Sequence, residues 1–285
     1  MVKNKNIAIT HGGKFHADDV FSAALLKTVN PNIKIIRAFE VPDDFDGIAF
    51  DIGWGEFDHH QENAEVRENG VPYAAFGLLW REFGVSVLIS NGCPSEEAAK
   101  EAAHFDENFI QSLDEDDNTG CGNQLASVIG TFNPNWDSSQ LPDQCFAEAL
   151  GFAAVILKKK LDSVMSAQRA KKLVEMALTD SKDTIVILPR FAPWKMVLIP
   201  SAAEFVVYPS QRGGYNAQVI PIDFDTKEVK CNFPQEWAGK PEDELQKISG
   251  IKTLKFCHKG RFLISADSLD DTIKACVIAH NEATG

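Results

Sequence analysis

The chain lacks most of the features that settle a protein's class at once, and each shortage excludes something. None of its six cysteines (Cys93, Cys121, Cys145, Cys231, Cys257 and Cys276) sits in a C-x-x-C pair, which argues against a zinc ribbon or a thioredoxin-type centre. In a chain of 285 residues they read as reduced thiols of a cytosolic protein. No apolar run approaches the roughly 18 residues that a membrane span needs. The opening Met-Val-Lys-Asn-Lys-Asn runs straight into Ile7-Ala8-Ile9, without the apolar stretch of a secretion signal. A cytoplasmic protein with no membrane partner is expected. Positive charge is scarce too: 28 Lys and Arg stand against 41 Asp and Glu, a net charge of −13. A broad duplex-gripping surface is therefore disfavoured, and any nucleic acid must be met locally, in a cleft with its own cations. Internal repeats and low-complexity tracts are missing as well.

What is present is two domains' worth of patterned sequence. Strands are predicted over Ile7–Thr10, Ile33–Ala38 and Gly47–Ile52, with a helix over Asp18–Val29 between the first two. That order describes a βαβ unit and a parallel sheet with helices on both faces. Further helices are predicted over Tyr73–Phe83, over Glu96–Asp114 with Ser95 as N-cap, and over residues 142–179 as a long connector. After Asp180 the pattern turns to short strands: Ile185–Leu188, Val197–Ile199, Glu204–Tyr208, Tyr215–Ile220, Leu254–Cys257 and Phe262–Ser265. A helix over Asp270–His280 closes the chain. The expected fold is α/β, with an N-terminal domain and connector over 1–180 and a smaller α+β domain over 181–285.

Four of the seven histidines fall in the first 60 residues, each close to aspartates. One cluster, His11-Gly-Gly-Lys-Phe-His16-Ala-Asp18-Asp19, follows the first strand. The other runs from Asp51, at the end of the third strand, to Asp58-His59-His60-Gln61. In a parallel sheet, ligand sites lie outside the carboxyl ends of the strands, so both clusters project to one side. Mixed imidazole and carboxylate ligands suit Mn²⁺, Fe²⁺ or Zn²⁺, whereas all-carboxylate sites favour Mg²⁺ or Ca²⁺. Two ions need a bridging carboxylate; Asp51 is the candidate, with His11 and His16 on one ion and Asp18 and His59 on the other. The acidic run Leu113–Gly120 gains interest only from these clusters, because it lacks the spacing and terminal Glu of an EF-hand.

These motifs together resemble the melanocyte-proliferating-gene (Myg-type) family of the DHH phosphoesterase superfamily. The likeness is carried by the two clusters and by Glu107-Asn108-Phe109 followed by Asp114 and Asp117-Asn118. Asn133-Pro134-Asn135-Trp136, Ala192-Pro193-Trp194-Lys195, Ser249-Gly250-Ile251, and His258 followed by Arg261-Phe262 extend it along the whole chain. The resemblance implies a two-domain, metal-dependent phosphoesterase, in the leading case an exonuclease acting from the 3′ end of RNA or a short single-stranded oligonucleotide. It implies two divalent ions, Mn²⁺ preferred over Mg²⁺ or another ion. Asp114 is taken as a ligand, with Asp117 just behind it.

His16 stands where superfamily members often carry Asp, which leaves the role of Asp19 open. His60 is expected to hydrogen-bond the phosphate or protonate the leaving oxygen, with Asp58 beside it. The superfamily's Gly-Gly-Gly-His signature is not evident. Arg212-Gly213-Gly214 and His258 with Arg261 are the nearest phosphate-binding candidates, although the glycine segment reads equally as a hairpin turn. Trp136, Trp194 and Trp237 could stack bases, but packing is the expected role of all three, and also of Trp54, which lies between Asp51 and Asp58. The alternatives are a small-molecule phosphatase or pyrophosphatase, or a metal-binding regulator without catalysis. A homodimer stays open, since a dimer face and a core face look alike in sequence.

Overall fold

A computed structural model describes residues 6–181 and 184–284. The chain divides into two compact units, the first ending at Met165 and the second starting at Ser166, rather than near residue 180. The division falls inside the long helix because its two halves serve different cores. Phe146, Ala149, Ala153, Leu157 and Leu161 pack into the first core, whereas Ala170 and Val174 pack into a cluster of the second unit.

The first unit is built on a parallel sheet of order β2-β1-β3, with β1 at Ile7–His11, β2 at Lys34–Ala38 and β3 at Ile48–Ala49. In β1, Ala8, Ile9 and Thr10 are all buried, as expected of the central strand of a parallel sheet. Its register places His11 beside Ala38, and Ile9 beside Ala49. The carboxyl ends of β1 and β3 therefore open on the same edge. Around the sheet stand α1 (Ala17–Val29), α2 (Ala75–Ser90), α3 (Ser95–Phe105), α4 (Gln111–Thr119), α5 (Gln124–Gly130) and the first part of α6 (Pro142–Thr179).

Several boundaries differ from expectation. β3 is shorter than Gly47–Ile52, because only Ile48 and Ala49 pair with β1; Phe50 instead bridges to Phe57. The N-cap of α3 is Pro94, not Ser95. One π-turn at Asp106–Ile110 links α3 to α4. The short α5 was not predicted; Asn123 starts it, its side chain accepting from the amides of Leu125 and Ala126.

In the second unit five strands lie in the order β4-β5-β6-β8-β7. They are β4 (Ile185–Ile187), β5 (Phe205–Pro209), β6 (Tyr215–Val219), β7 (Leu254–Cys257) and β8 (Leu263–Ala266). β4 pairs parallel to β5, and the other pairings are antiparallel. β5 is covered on both faces: Phe205 and Val207 enter one core with Phe233 and Trp237, while Val206 and Tyr208 enter another with Trp194. That split follows from the period of two along a strand. Helices α7 (Lys195–Leu198), α8 (Glu242–Ser249) and α9 (Leu269–Thr284) complete the unit. The predicted strand Val197–Ile199 is thus a helical turn, with the amides of Val197 and Leu198 donating to the Trp194 carbonyl. Among the described residues no helix is long and apolar enough to cross a membrane.

The first core is anchored where α1 meets α2. Phe21 is fully buried, its ring stacked on Phe76 at 5.6 Å and edge-on to Phe109 at 5.5 Å. Phe21→Ala should cost about 3–5 kcal/mol, read as a lower urea midpoint at unchanged m-value. A loss below about 1 kcal/mol would show that the site collapses around the void.

Candidate metal centre

The site is assembled from two strand ends and two helices. Asp51 follows β3 in a left-handed conformation, φ 55°, which Asp tolerates better than most residues. Its amide donates to the Phe57 carbonyl at 2.9 Å, closing the loop that leads into Asp58-His59-His60. In that triplet, Asp58 Oδ2 accepts from the Trp54 amide at 2.7 Å and Asp58 Oδ1 faces His60 Nδ1 at 2.7 Å. Burial would raise Asp58, but hydrogen bonds from His60 and Trp54 hold it below the usual carboxylate range.

Three overlapping groups of side chains have donor atoms close enough to share an ion: His11, Asp19 and Asp51; Asp18, His59 and Asp117; and Asp51, Asp58, His59 and His60. Asp51 belongs to the first and third, His59 to the second and third. His11 Nε2 lies 3.1 Å from Asp51 and 3.3 Å from Asp19. His59 Nε2 lies 3.0 Å from Asp117 Oδ2, and its Nδ1 lies 3.5 Å from Asp51 Oδ1.

The cluster fits divalent ions on its own evidence. Asp19 Oδ2, Asp51 Oδ1 and His59 Nδ1 are buried and have no hydrogen-bond partner among the described residues. Such groups are costly to bury unsatisfied, and here they converge. The donor set is mixed imidazole and carboxylate, the chemistry of a transition-metal site.

Not every expected residue joins. His16 caps α1 with its side chain largely exposed, and its nearest acidic neighbour, Asp117 Oδ1, is 3.9 Å away. Asp19 takes the place beside His11; its Oδ1 accepts the His16 amide at 2.8 Å, which aims Oδ2 at the ring. The order expected of the later acids is reversed: Asp117 enters the cluster and Asp114 does not. Asp114 is fully buried, with Oδ2 held by Arg67 at 2.7 Å and Oδ1 by the Gly77 amide at 3.2 Å.

Arg67 gave no signal in the sequence. Besides Asp114 it bonds both oxygens of Asp106, at 2.8 and 2.6 Å, and lies 3.8 Å over the Tyr73 ring. Gly77 is essential to this approach, since a Cβ there would stand 2.0 Å from Asp114 Oδ2. Asn133 pins the loop before α1, its side chain accepting from the Phe15 amide at 3.0 Å and donating to the Phe15 carbonyl at 2.8 Å.

The cluster floors a cavity of about 1070 Å³ whose lining includes Lys14, Phe39 and Trp54. Trp54 is 70% exposed and Trp136 is 97% exposed, so neither is the packing residue expected; Trp194 and Trp237 are buried, as expected.

Residues 7–279 match the family MYG1_exonuc, described as an uncharacterised protein family, UPF0160. The chain belongs to that family. It is 30% identical to the MYG1 protein of Chlamydia pneumoniae, over 89% of each chain. It is 28% identical to the human MYG1 exonuclease, over 89% of this chain and 80% of that protein. The MYG1 protein of Dictyostelium discoideum is 26% identical, over 89% of this chain and 90% of that one. No solved structure matches. The family match spans both units, yet the second-unit candidates do not form one group.

Arg212, Gly213 and Gly214 make the turn between β5 and β6, and Gly214 is required there because a Cβ would meet the Ala266 carbonyl at 2.2 Å. His258 and Arg261 make the turn between β7 and β8. Tyr215 pairs with Ala266 while Gln218 pairs with Leu263, so the two turns lie at opposite ends of the sheet and cannot clamp one phosphate together. His258 Nδ1 accepts the Gly260 amide at 2.9 Å, and Arg261 is left-handed at φ 57°.

Protonation of the metal-free cluster follows from its crowding. Burial favours a neutral His11, but its hydrogen bond to Asp51 and the charges of Asp19 and Asp51 raise it to about 9. Burial lifts Asp19 to about 7, against the pull of His11. Burial and neighbouring carboxylates lift Asp18 well above its ordinary value. His59 is also raised: burial opposes its charge, but Asp117 and Asp51 outweigh it. Each of these groups binds its proton more tightly folded than unfolded, so its contribution is present at low pH and lost as pH rises through the folded value. Metal-free protein should therefore lose stability between about pH 5 and 9, and added Mn²⁺ should stabilise most at the alkaline end. Urea denaturation in EDTA across that range checks this; a flat profile would contradict it.

Arg67→Met would leave Asp106 and Asp114 without their cation, a loss of about 3–5 kcal/mol. Adding Asp114→Asn should recover part of it, and an additive double variant would argue against coupling.

Proposed function

We propose that this chain hydrolyses phosphodiester bonds with two divalent ions, Mn²⁺ preferred, and removes nucleotides from the 3′ end of single-stranded RNA or short oligonucleotides. The observation that carries the reading is the overlap of three ligand groups through Asp51 and His59, the arrangement that two neighbouring ions require. His11, Asp19 and Asp51 would hold one ion; Asp18, His59 and Asp117 would hold the other, with Asp51 between them. When bound, the ions would supply Lewis acidity toward the phosphate and acidify a water for attack. Relatives named MYG1 exonuclease in human and rat support a nuclease. In a chain this acidic, the local cation Lys14 and the bound ions would meet the phosphate.

The chain's own residues do the remaining work. Asp58 Oδ1 at 2.7 Å from His60 Nδ1 favours the tautomer with the proton on Nδ1, leaving Nε2 to face substrate. The His60 side chain is 56% exposed, so it can reach a phosphoryl or leaving oxygen. Protonated at Nε2, it would donate to the leaving oxygen as a general acid. The contact with Asp58 fixes the ring's orientation, and His59, stacked on His60 at 4.3 Å, limits its rotation. Lys14 would attract the phosphate to the cavity. Of the second unit's two turns, the one with His258 and Arg261 is the proposed phosphate contact, and the one with Arg212, Gly213 and Gly214 is not. The proposed setting is the cytoplasm, in keeping with six free thiols, five of them buried.

Asp51→Asn removes the shared carboxylate charge while keeping the side chain's shape. Metal-dependent shortening of a 5′-labelled RNA should fall on the order of a thousandfold, in the range seen when a charge-stabilising group is lost. The wild type should yield a ladder that shortens stepwise from the 3′ end. Full-length RNA with every metal tried, alongside turnover of a small phosphate ester, would move the assignment to a small-molecule phosphatase.

A further inference from the structure

Trp54 is placed at a cost that packing does not explain. Its backbone is left-handed, φ 58°, a conformation in which bulky residues are rare. Glycines stand on both sides of it in the sequence, Gly53 and Gly55, and glycine would occupy position 54 without strain. Trp54 is 70% exposed, and among the described residues its ring has no aromatic or cation–π partner. A large aromatic held in strain yet left in solvent points to a role outside the fold.

Its placement is also fixed from the site itself. The Trp54 amide donates to Asp58 Oδ2 at 2.7 Å, and the other oxygen of Asp58 faces His60. One carboxylate thus orients the proposed acid and the tryptophan together. Trp54 lines the same cavity as Asp51, His59 and Asp117. Phe39 lines it too, 85% exposed, with its ring so close over the first turn after β1 that a Cβ on Gly12 would stand 3.3 Å from it. The cavity therefore combines phosphate-directed chemistry with exposed aromatic faces.

We propose that Trp54 is a stacking platform for a nucleobase of the substrate, at the mouth of the metal cavity. This rests on the phosphodiesterase reading for the phosphate beside the base. Stacking suits a substrate of mixed sequence, because every base offers a π-face. Phe39 supplies a second apolar surface in the same cavity, and Lys14 a cation for the backbone.

The test is direct binding, independent of turnover. Adenosine 5′-monophosphate and ribose 5-phosphate are titrated calorimetrically into the Mn²⁺-loaded full chain, as wild type, Trp54→Gly and Trp54→Phe. The nucleotide should bind wild type about tenfold more tightly than the base-free sugar phosphate, the order that one stacked base contributes. Trp54→Gly should bring the two to near parity, and Trp54→Phe should keep most of the preference. The thermal midpoint of Trp54→Gly should hold or rise, because glycine relieves the left-handed strain.

Equal affinity of wild type for both ligands, or no binding of either, overturns the proposal. So does a Trp54→Gly variant that keeps the preference, or one that loses it together with a marked fall in thermal midpoint, which would reveal a packing role. The hydrolysis assay fails separately. A protein that prefers the nucleotide but cleaves no phosphodiester keeps the platform and loses the phosphodiesterase reading.

Discussion

The structure depends most on how it buries two aspartate side chains, Asp18 and Asp114, beside the His/Asp cluster. The first amides of α2 have no side-chain cap of their own, since Ala74 precedes them. Asp18, from α1, accepts from the amides of Ala75 and Phe76 at 3.1 and 2.7 Å, and Asp114, from α4, accepts from that of Gly77. Two aspartate side chains thereby satisfy the amides of a helix end. Arg67 donates to Asp114 as well. This knot joins α1, α2 and α4, and it explains why Asp114 is buried against Arg67 and the Gly77 amide while Asp117, one helical turn further on, lines the cavity.

The parallel sheet sets where the ligands converge. Because β1 and β3 run the same way on adjacent lines, His11 and Asp51 leave the sheet at one edge and come within 3.1 Å. The loop from Asp51 to Asp58 is tied to itself by the Phe57 carbonyl and the Trp54 amide. It presents both the buried His59 and the more exposed His60, and Trp54 on the same loop is exposed to solvent. The same loop thus supplies residues both to the His/Asp cluster and to the lining of the cavity. The second unit carries two turns at opposite ends of its sheet, one with Arg212, Gly213 and Gly214 and one with His258 and Arg261.

The sequence by itself determined a good part of this. Apolar runs in β1 and β2, the helical period of α1 and α6, and the switch to short strands after Asp180 were enough for an α/β unit followed by a smaller α+β unit. The placement of His11, Asp51 and Asp58-His59-His60 at strand ends followed from the parallel-sheet rule alone, because those motifs are local in the chain and their direction is set by the strand that precedes them. What only the tertiary structure decided is everything that depends on distant partners. Asp114 and Asp117 are both acids on one short helix, and nothing in their spacing says which meets Arg67, 47 positions away for Asp114. Asp19 displaced His16 because the capping contact at the start of α1 turns the carboxylate toward His11. The exposure of Trp54 and Trp136 depends on whether a neighbour covers them, and composition favours burial for tryptophan. Local patterns fix secondary structure and direction; long-range packing fixes which of two equivalent side chains is buried, paired or left to face a ligand.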